Sequence, residues 1–260
     1  MLVAGVDVGG ATAKAVIMRD GEILSHFICQ TGPDVTRIAR YVIEEAARKS
    51  ACSLDDMECI VATGYGRISI PFAQKTLTEI SCHARGAKWA IPETRMIIDI
   101  GGQDSKAIHV GDEGNVEDFV MNDKCAAGTG RFLEVIADVL EIPLTQLGIV
   151  ASNADKVCPI SNTCTVFAES EVVSLRAQKE RVEDIIAGIN RSVAKRVCGM
   201  ARRMGFRNPV VFSGGVAKND GVKRAIEEEI KAEIAVPEEP QLIGAIGAAL
   251  FAESDSPTSC

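Results

Sequence analysis

Apolar residues along this chain fall into short runs of strand length, alternating with longer stretches of helical period. Val3 to Val8 is a short apolar run that ends in Asp7-Val8-Gly9-Gly10. Ala13 to Met18 follows, then the turn Asp20-Gly21, then Ile23 to Cys29. An Asp-Gly pair between two apolar runs is a hairpin signal. Val35 to Arg48 has Ile38, Val42, Ile43 and Ala46 on one helical face, and Glu79 to Ala90 is predicted to be another helix, ending near Pro92. Between them, Cys59 to Thr63 is a strand closed by Gly64-Tyr65-Gly66.

The strand pattern then returns. Ile97-Ile98-Asp99-Ile100-Gly101-Gly102 is followed by Ala107 to Val110, a turn at Gly111 to Gly114, and Val116 to Met121. At a constant offset of 92, Asp7 matches Asp99, Gly9 matches Gly101, Gly10 matches Gly102, and Lys14 matches Lys106. Any two hairpins share some glycines, but not a matched Asp and Lys as well. The register therefore predicts a duplicated unit.

Further on, a long helix is predicted from about Asp184 to Met204, with Ile185, Ile186, Ile189, Val193, Val197, Met200 and Met204 in one stripe and Gly205 as its stop. Val210 to Phe212 is a strand ending in Ser213-Gly214-Gly215-Val216-Ala217. Gly221 to Ile230 is a helix, Glu233 to Val236 a short strand, and Gln241 to Phe251 a helix of small residues. The fold class is α/β. No linker rich in Pro, Gly or Ser separates the halves, so they are expected to pack closely with a cleft between them.

Two cysteines stand apart from the other seven. Cys125 sits in the glycine-rich stretch Asn122 to Gly130, and Phe132, Leu133, Val135, Ile136, Val139 and Leu140 follow at helical spacing. Cys164, in Ser161-Asn162-Thr163-Cys164-Thr165, repeats the arrangement thirty-nine positions later. Both are expected just before a helix N-terminus, where free N–H groups and the helix dipole favour a thiolate. Two such cysteines are half of a four-cysteine site, and a symmetric dimer would supply the other half. Cys29, Cys52, Cys59, Cys82 and Cys198 lie in regular runs and read as small hydrophobes. Cys158 is less distinct, and Cys260 belongs to a polar tail from Glu253 that is expected to fray. No C-x-x-C pair occurs, which disfavours a zinc ribbon or a thioredoxin-like motif.

A net charge of −8 without a basic stripe argues against nucleic-acid binding. No apolar run reaches the roughly 18 residues of a spanning helix, and the N-terminus lacks a basic n-region. A cytoplasmic protein without a membrane partner is the expectation. His26, His83 and His109 are scattered and read as structural or exposed, Trp89 as core, and Glu169 and Glu171 as a helix first turn; Lys124 and Arg131, beside Cys125, read equally as groups that tune the cysteine site or meet an acidic partner and as exposed surface charge.

Strand-ending Gly-Gly pairs occur at Gly9-Gly10, Gly101-Gly102 and Gly214-Gly215. Such turns let backbone N–H groups approach an anion. Two related hairpins facing each other would hold nucleotide phosphates, with Asp7 and Asp99 holding Mg²⁺ through water. Thr12 and Lys14 suit phosphate contact, Gln103 or Asp104 would orient an attacking water, and the third turn suits the nucleoside end. Neither G-x-x-x-x-G-K-[ST] nor G-x-G-x-x-G is present.

The strings Asp7-Val8-Gly9-Gly10, Asp99 to Asp104 and Ser213 to Ala217 resemble the two phosphate motifs and the adenosine motif of the actin and sugar-kinase superfamily. With Ala62 to Arg67, Met121 to Phe132 and Thr163 to Glu171, the chain resembles the ATP-dependent activators of 2-hydroxyacyl-CoA dehydratases, whose relatives serve benzoyl-CoA reductases and double-cubane reductases. The resemblance implies two related ribonuclease-H-like subdomains, residues 1–95 plus 241–260 and residues 96–240, around ATP or ADP. It implies nucleotide contacts from Gly9, Gly10, Ala11, Thr12, Ala13, Lys14, Gly101, Gly102, Gly214, Gly215, Asn219 and Gln241. It also implies a homodimer sharing one 4Fe–4S cluster on Cys125 and Cys164, a ferredoxin or flavodoxin as donor, and an iron–sulfur enzyme as acceptor. Gly10-Ala11 departs from the Ser/Thr-bearing form of the first turn. Two other readings remain: a sugar-type kinase with Asp104 as base, and a dimeric scaffold bridged by zinc.

Overall fold

The computed structural model describes residues 1–161 and 164–254. The elements begin β1 (Leu2–Val8), β2 (Thr12–Arg19), β3 (Glu22–Gln30), α1 (Val35–Lys49), β4 (Cys59–Thr63), β5 (Lys75–Thr76) and α2 (Glu79–Ala90). They continue β6 (Met96–Ile100), β7 (Ser105–Val110), β8 (Val116–Asn122), α3 (Gly130–Leu140), α4 (Leu147–Ala151), α5 (Thr165–Ala177) and α6 (Val182–Ala201). The last are β9 (Val210–Ser213), α7 (Asp220–Ile230), β10 (Ile234–Ala235) and α8 (Ile243–Ser254). Among the described residues, 1–94, 109–117 and 237–254 form one compact unit, and 95–108, 118–161 and 164–236 the other.

Two five-stranded sheets carry these elements, ordered β3-β2-β1-β4-β5 and β8-β7-β6-β9-β10. The orders are the same when each strand is matched to its counterpart in the duplication. In the first sheet, β1 pairs antiparallel with β2 and parallel with β4, which sets Asp7 opposite both Lys14 and Thr63. In the second, β6 pairs parallel with β9 and sets Asp99 opposite Ser213.

Alternation along β1 assigns its two faces. Ala4, Val6 and Val8 share a core with Ala39, Val42, Ile43 and Ala46 of α1. Burying Val42 and Ile43 there is worth about 1.5–3 kcal/mol each. The helix starts where the Asp34 side chain accepts from Arg37 N at 3.0 Å, and it ends with Arg48 and Lys49 at the negative pole of its dipole. Gly5 faces the other way, onto α8: a Cβ there would stand 2.0 Å from Ala245 O. In the second unit Ile98, Ile100, Phe132, Ile136, Ile185, Ile189, Val193 and Phe212 form one core under α3 and α6.

Several sequence expectations are corrected. Trp89 is 41% exposed and not core. Glu169 and Glu171 lie beyond the first turn of α5, and the Glu171 carboxylate accepts instead from Ser161 N. The long helix stops at Ala201; Gly205, at φ +84°, closes the turn after it. Glu253 is helical and anchored, accepting from Gly21 N at 3.0 and 3.1 Å. Asn162, Thr163 and residues 255–260, with Cys260, lie outside the described residues.

Candidate functional site

The carboxylates of Asp7 and Asp99 are 5% and 2% exposed, each at a strand end that runs into a Gly-Gly turn. Lys14 Nζ stands 3.3 Å from Asp7 Oδ2, and Lys106 Nζ stands 3.2 Å from Asp99 Oδ2. The turns match as well: Gly9 N donates to Thr12 O at 3.0 Å, and Gly101 N to Asp104 O at 2.9 Å. The duplication thus extends from residue types to hydrogen bonds. Gly10 is exposed at the tip of the first turn, with Ala11 and Thr12 half-buried beside it and Ala13 buried in β2.

A second glycine crosses over each carboxylate. Gly64 follows β4 at φ +84°, and a Cβ on it would lie 2.4 Å from Asp7 Oδ1 and 2.6 Å from Val8 O. Gly214 follows β9 at φ +87°, and its Cβ would meet Asp99 Oδ1 at 3.0 Å and Ile100 O at 2.3 Å. Only glycine serves at such a φ with backbone this near. Thr63-Gly64 and Ser213-Gly214 are therefore counterparts, a repeat that sequence reading missed. The signal was a Ser/Thr-Gly pair ending the strand beside each Asp.

The two surroundings also differ. Ser213 Oγ donates to Asp99 Oδ1 at 2.9 Å, whereas Thr63 Oγ1 donates to Leu77 O at 3.0 Å. Asp104, at the position of Thr12, is buried with Oδ2 2.7 Å from Lys106 Nζ. Burial opposes the Lys106 ammonium, but Asp99 and then Asp104 outweigh it and hold its pKa above the usual lysine value. Gln103 is exposed, and Gly102 is half-buried at the turn.

After β9, Gly214 and exposed Gly215 lead to Asn219, which caps α7 by accepting from Gly221 N at 2.9 Å and Val222 N at 3.2 Å. Its Nδ2 is buried and has no hydrogen-bond partner among the described residues. A buried donor of this kind calls for an acceptor from a ligand or water. Gln241 is half-buried ahead of α8.

The cysteines resolve into two settings. Cys164 is the N-cap of α5, with extended backbone at φ −160°. Cys125 is less close to its helix than the sequence suggested. The cap of α3 is Thr129, and Cys125 lies in the preceding turn, where Asn122 Nδ2 donates to Cys125 O at 2.8 Å and Ala127 O at 3.2 Å. Both thiol-bearing residues are half-buried. Cys82 and Cys198 are buried, and burial pushes their thiols up to about 12. Cys158 is buried too, its pKa also raised by burial. Lys124 and Arg131 are surface charges, paired with Asp123 at 2.7 Å and Glu134 at 3.0 Å.

His83, read from the sequence as structural or exposed, is structural. It is 8% exposed, and its Nδ1 is 2.7 Å from Glu79 O one turn earlier. Arg67 donates both to Gly64 O at 3.0 Å and to Glu79 Oε2 at 3.2 Å, tying the turn over Asp7 to the start of α2.

Two sheets of this order, each with its carboxylate, lysine and crossing glycine, define an actin- and sugar-kinase-like ATPase fold. A ROK-family glucokinase from Streptomyces griseus shares it at a TM-score of 0.62, with 15% identity over 98% of this chain and all of that one. Residues 4–252 match the BadF/BadG/BcrA/BcrD ATPase family, and the chain belongs to that family. It is 47% identical over 250 residues to the (R)-2-hydroxyglutaryl-CoA dehydratase activating ATPase of Acidaminococcus fermentans, covering 95% of each chain. The Clostridium difficile activator of 2-hydroxyisocaproyl-CoA dehydratase, solved with bound ADPNP, superposes at a TM-score of 0.94, with 46% identity over 98% of this chain and 95% of that one.

Proposed function

We propose that this ATPase is an activator of a 2-hydroxyacyl-CoA dehydratase or a related iron–sulfur reductase, and that it works as a homodimer whose two copies share one 4Fe–4S cluster. The observation that carries the reading is the pair Cys125 and Cys164. Both thiols are half-buried, and one caps a thirteen-residue helix. No group of three or more His, Cys, Asp or Glu suited to a metal occurs among the described residues. A 4Fe–4S cluster takes about four thiolates. A chain that brings two needs a second copy, and a two-fold axis meets the count. On α5, Val166, Phe167 and Val173 are 65%, 62% and 56% exposed, an apolar face suited to that contact. The α5 dipole favours the anionic charge of thiolates and cluster at Cys164.

Asp7 and Asp99 are the carboxylates for Mg²⁺ held through water, and the turns Gly9–Lys14 and Gly101–Gly102 offer backbone N–H groups to phosphate. Asn219, with its orphaned Nδ2, serves the nucleoside, together with Gly214, Gly215 and Gln241. Gln103, exposed beside the second turn, orients the attacking water better than Asp104, whose carboxylate is held by Lys106. The cluster would supply one low-potential electron, accepted from a ferredoxin or flavodoxin and passed to the partner enzyme. Nucleotide state and partner affinity would be coupled through the ATPase units.

The test is anaerobic. Protein reduced by a ferredoxin-type donor is mixed with MgATP and a dehydratase component, and turnover of a 2-hydroxyacyl-CoA is followed. The reading requires dehydration that depends on ATP and is abolished by Cys125→Ser or Cys164→Ser. Full activation by either variant contradicts it, and sugar-dependent ADP release would favour a kinase.

A further inference from the structure

Cys125 lies in a turn whose backbone polarity is sorted largely by one side chain. Asn122 is the last residue of β8, so the sheet sets its direction before the turn begins. Its Nδ2 donates to Cys125 O at 2.8 Å and to Ala127 O at 3.2 Å. An amide nitrogen carries two protons and a carbonyl only accepts, so these two bonds use Nδ2 fully and fix which way the amide is turned. The carbonyl between them, Ala126 O, accepts from Thr129 N at 3.0 Å and from Thr129 Oγ1 at 2.7 Å. Three successive carbonyls are thus taken up inside the turn.

The N–H groups are left over. In a trans peptide each carbonyl is antiparallel to the N–H that follows it, so the N–H groups of Ala126, Ala127 and Gly128 point away from these donors. None of the three has a hydrogen-bond partner among the described residues, although Ala127 and Gly128 are buried. Consecutive N–H groups of this kind make a cradle for an anion. Its surroundings are fixed. Gly130 N and Arg131 N donate to Gly101 O and Gly102 O at 2.8 Å each, and a Cβ on Gly128 would come 2.8 Å from Arg196 Cγ of α6.

We propose that Asn122 is a positioning residue for the Cys125 end of the iron–sulfur cluster: by holding the carbonyls of Cys125 and Ala127 inward, it keeps the N–H groups of Ala126, Ala127 and Gly128 outward as donors to sulfur. Hydrogen bonds to the sulfurs are one of the controls on a cluster's potential. They stabilise the extra negative charge of the reduced form, so they raise it. The inference rests on Cys125 being a cluster ligand, and the experiment separates the two.

Full-length protein purified without oxygen is compared with Asn122→Ala and with Asn122→Asp, whose side chain has the same size but cannot donate when ionised. Hydrogen exchange is measured over residues 123–131 of the metal-free protein, with 182–201 in α6 as the reference, and the midpoint potential is measured on the protein with its cluster. Exchange over 123–131 is expected to quicken by about 10–100-fold in both variants, as the loss of two hydrogen bonds gives, with α6 unchanged. The potential is expected to fall in both. Wild-type exchange, an unchanged potential, or an acceleration that spreads equally to α6 each overturns the proposal; the second would leave Asn122 a purely structural residue. A wild type without a cluster removes the reading of Cys125 itself, and the proposal with it, whatever the exchange shows.

Discussion

Lys106 reaches Asp99 with Nζ 3.2 Å from Oδ2, both side chains sealed from solvent, and 92 residues earlier Lys14 makes the same contact with Asp7. A lysine this deeply buried is tolerated only because its charge is matched; here Asp104 adds a second carboxylate at 2.7 Å.

Replacing Lys106 should therefore be costly. Lys106→Met removes the ammonium that faces two buried carboxylates and is expected to destabilise by about 3–5 kcal/mol, read as a lowered urea midpoint. The sign of the pH dependence follows from its raised pKa. The folded state binds the proton more tightly, so this contribution is whole below lysine's unfolded pKa of about 10.4 and is lost as pH climbs toward the folded value. Wild-type stability should fall above about pH 10.4, and that part of the slope should be missing in the Met variant.

Thiol chemistry should separate the cysteines. With Cys82 and Cys198 raised to about 12 by burial, alkylation of the native, metal-free protein at neutral pH should spare both and reach Cys125 and Cys164. Peptide mass spectrometry reads the pattern; rapid labelling of Cys198 without denaturant would contradict the packing of α6.

Glycine substitutions should divide by what their Cβ meets. Gly247→Ala drives a methyl into Cys82 O and separates α2 from α8, at a cost of about 1–3 kcal/mol or more. Gly21, at φ +80° with nothing within 4 Å, should lose only the left-handed backbone cost of about 1–2 kcal/mol as Ala. Thermal unfolding of the two variants tests this order.

How far the sequence disclosed the molecule depends on the kind of interaction. Periodicity located α1, α2 and α6 closely, because each buries one face of a regular element, and continuous apolar runs located β1, β4 and β6, which are buried throughout; the two-residue β5 carries no such signal and was missed. The offset between Asp7 and Asp99 anticipated two sheets of one order, since a duplicated pattern needs a duplicated ladder. Trp89 deceived because a large aromatic can lie on a surface. Cys125 was set too near its helix because residues 126–129 close a turn through Thr129 and Asn122, which composition does not reveal.

The central claim is that two copies of this chain bind one iron–sulfur cluster through Cys125 and Cys164, and the most direct measurement is iron and acid-labile sulfide in protein purified without oxygen. The account predicts a brown dimer with about two irons and two sulfides per chain, as one 4Fe–4S cluster per pair requires, and a colourless protein once both cysteines are alanine. Zinc in place of iron, or a cluster that persists in the Cys125→Ala, Cys164→Ala protein, would contradict it.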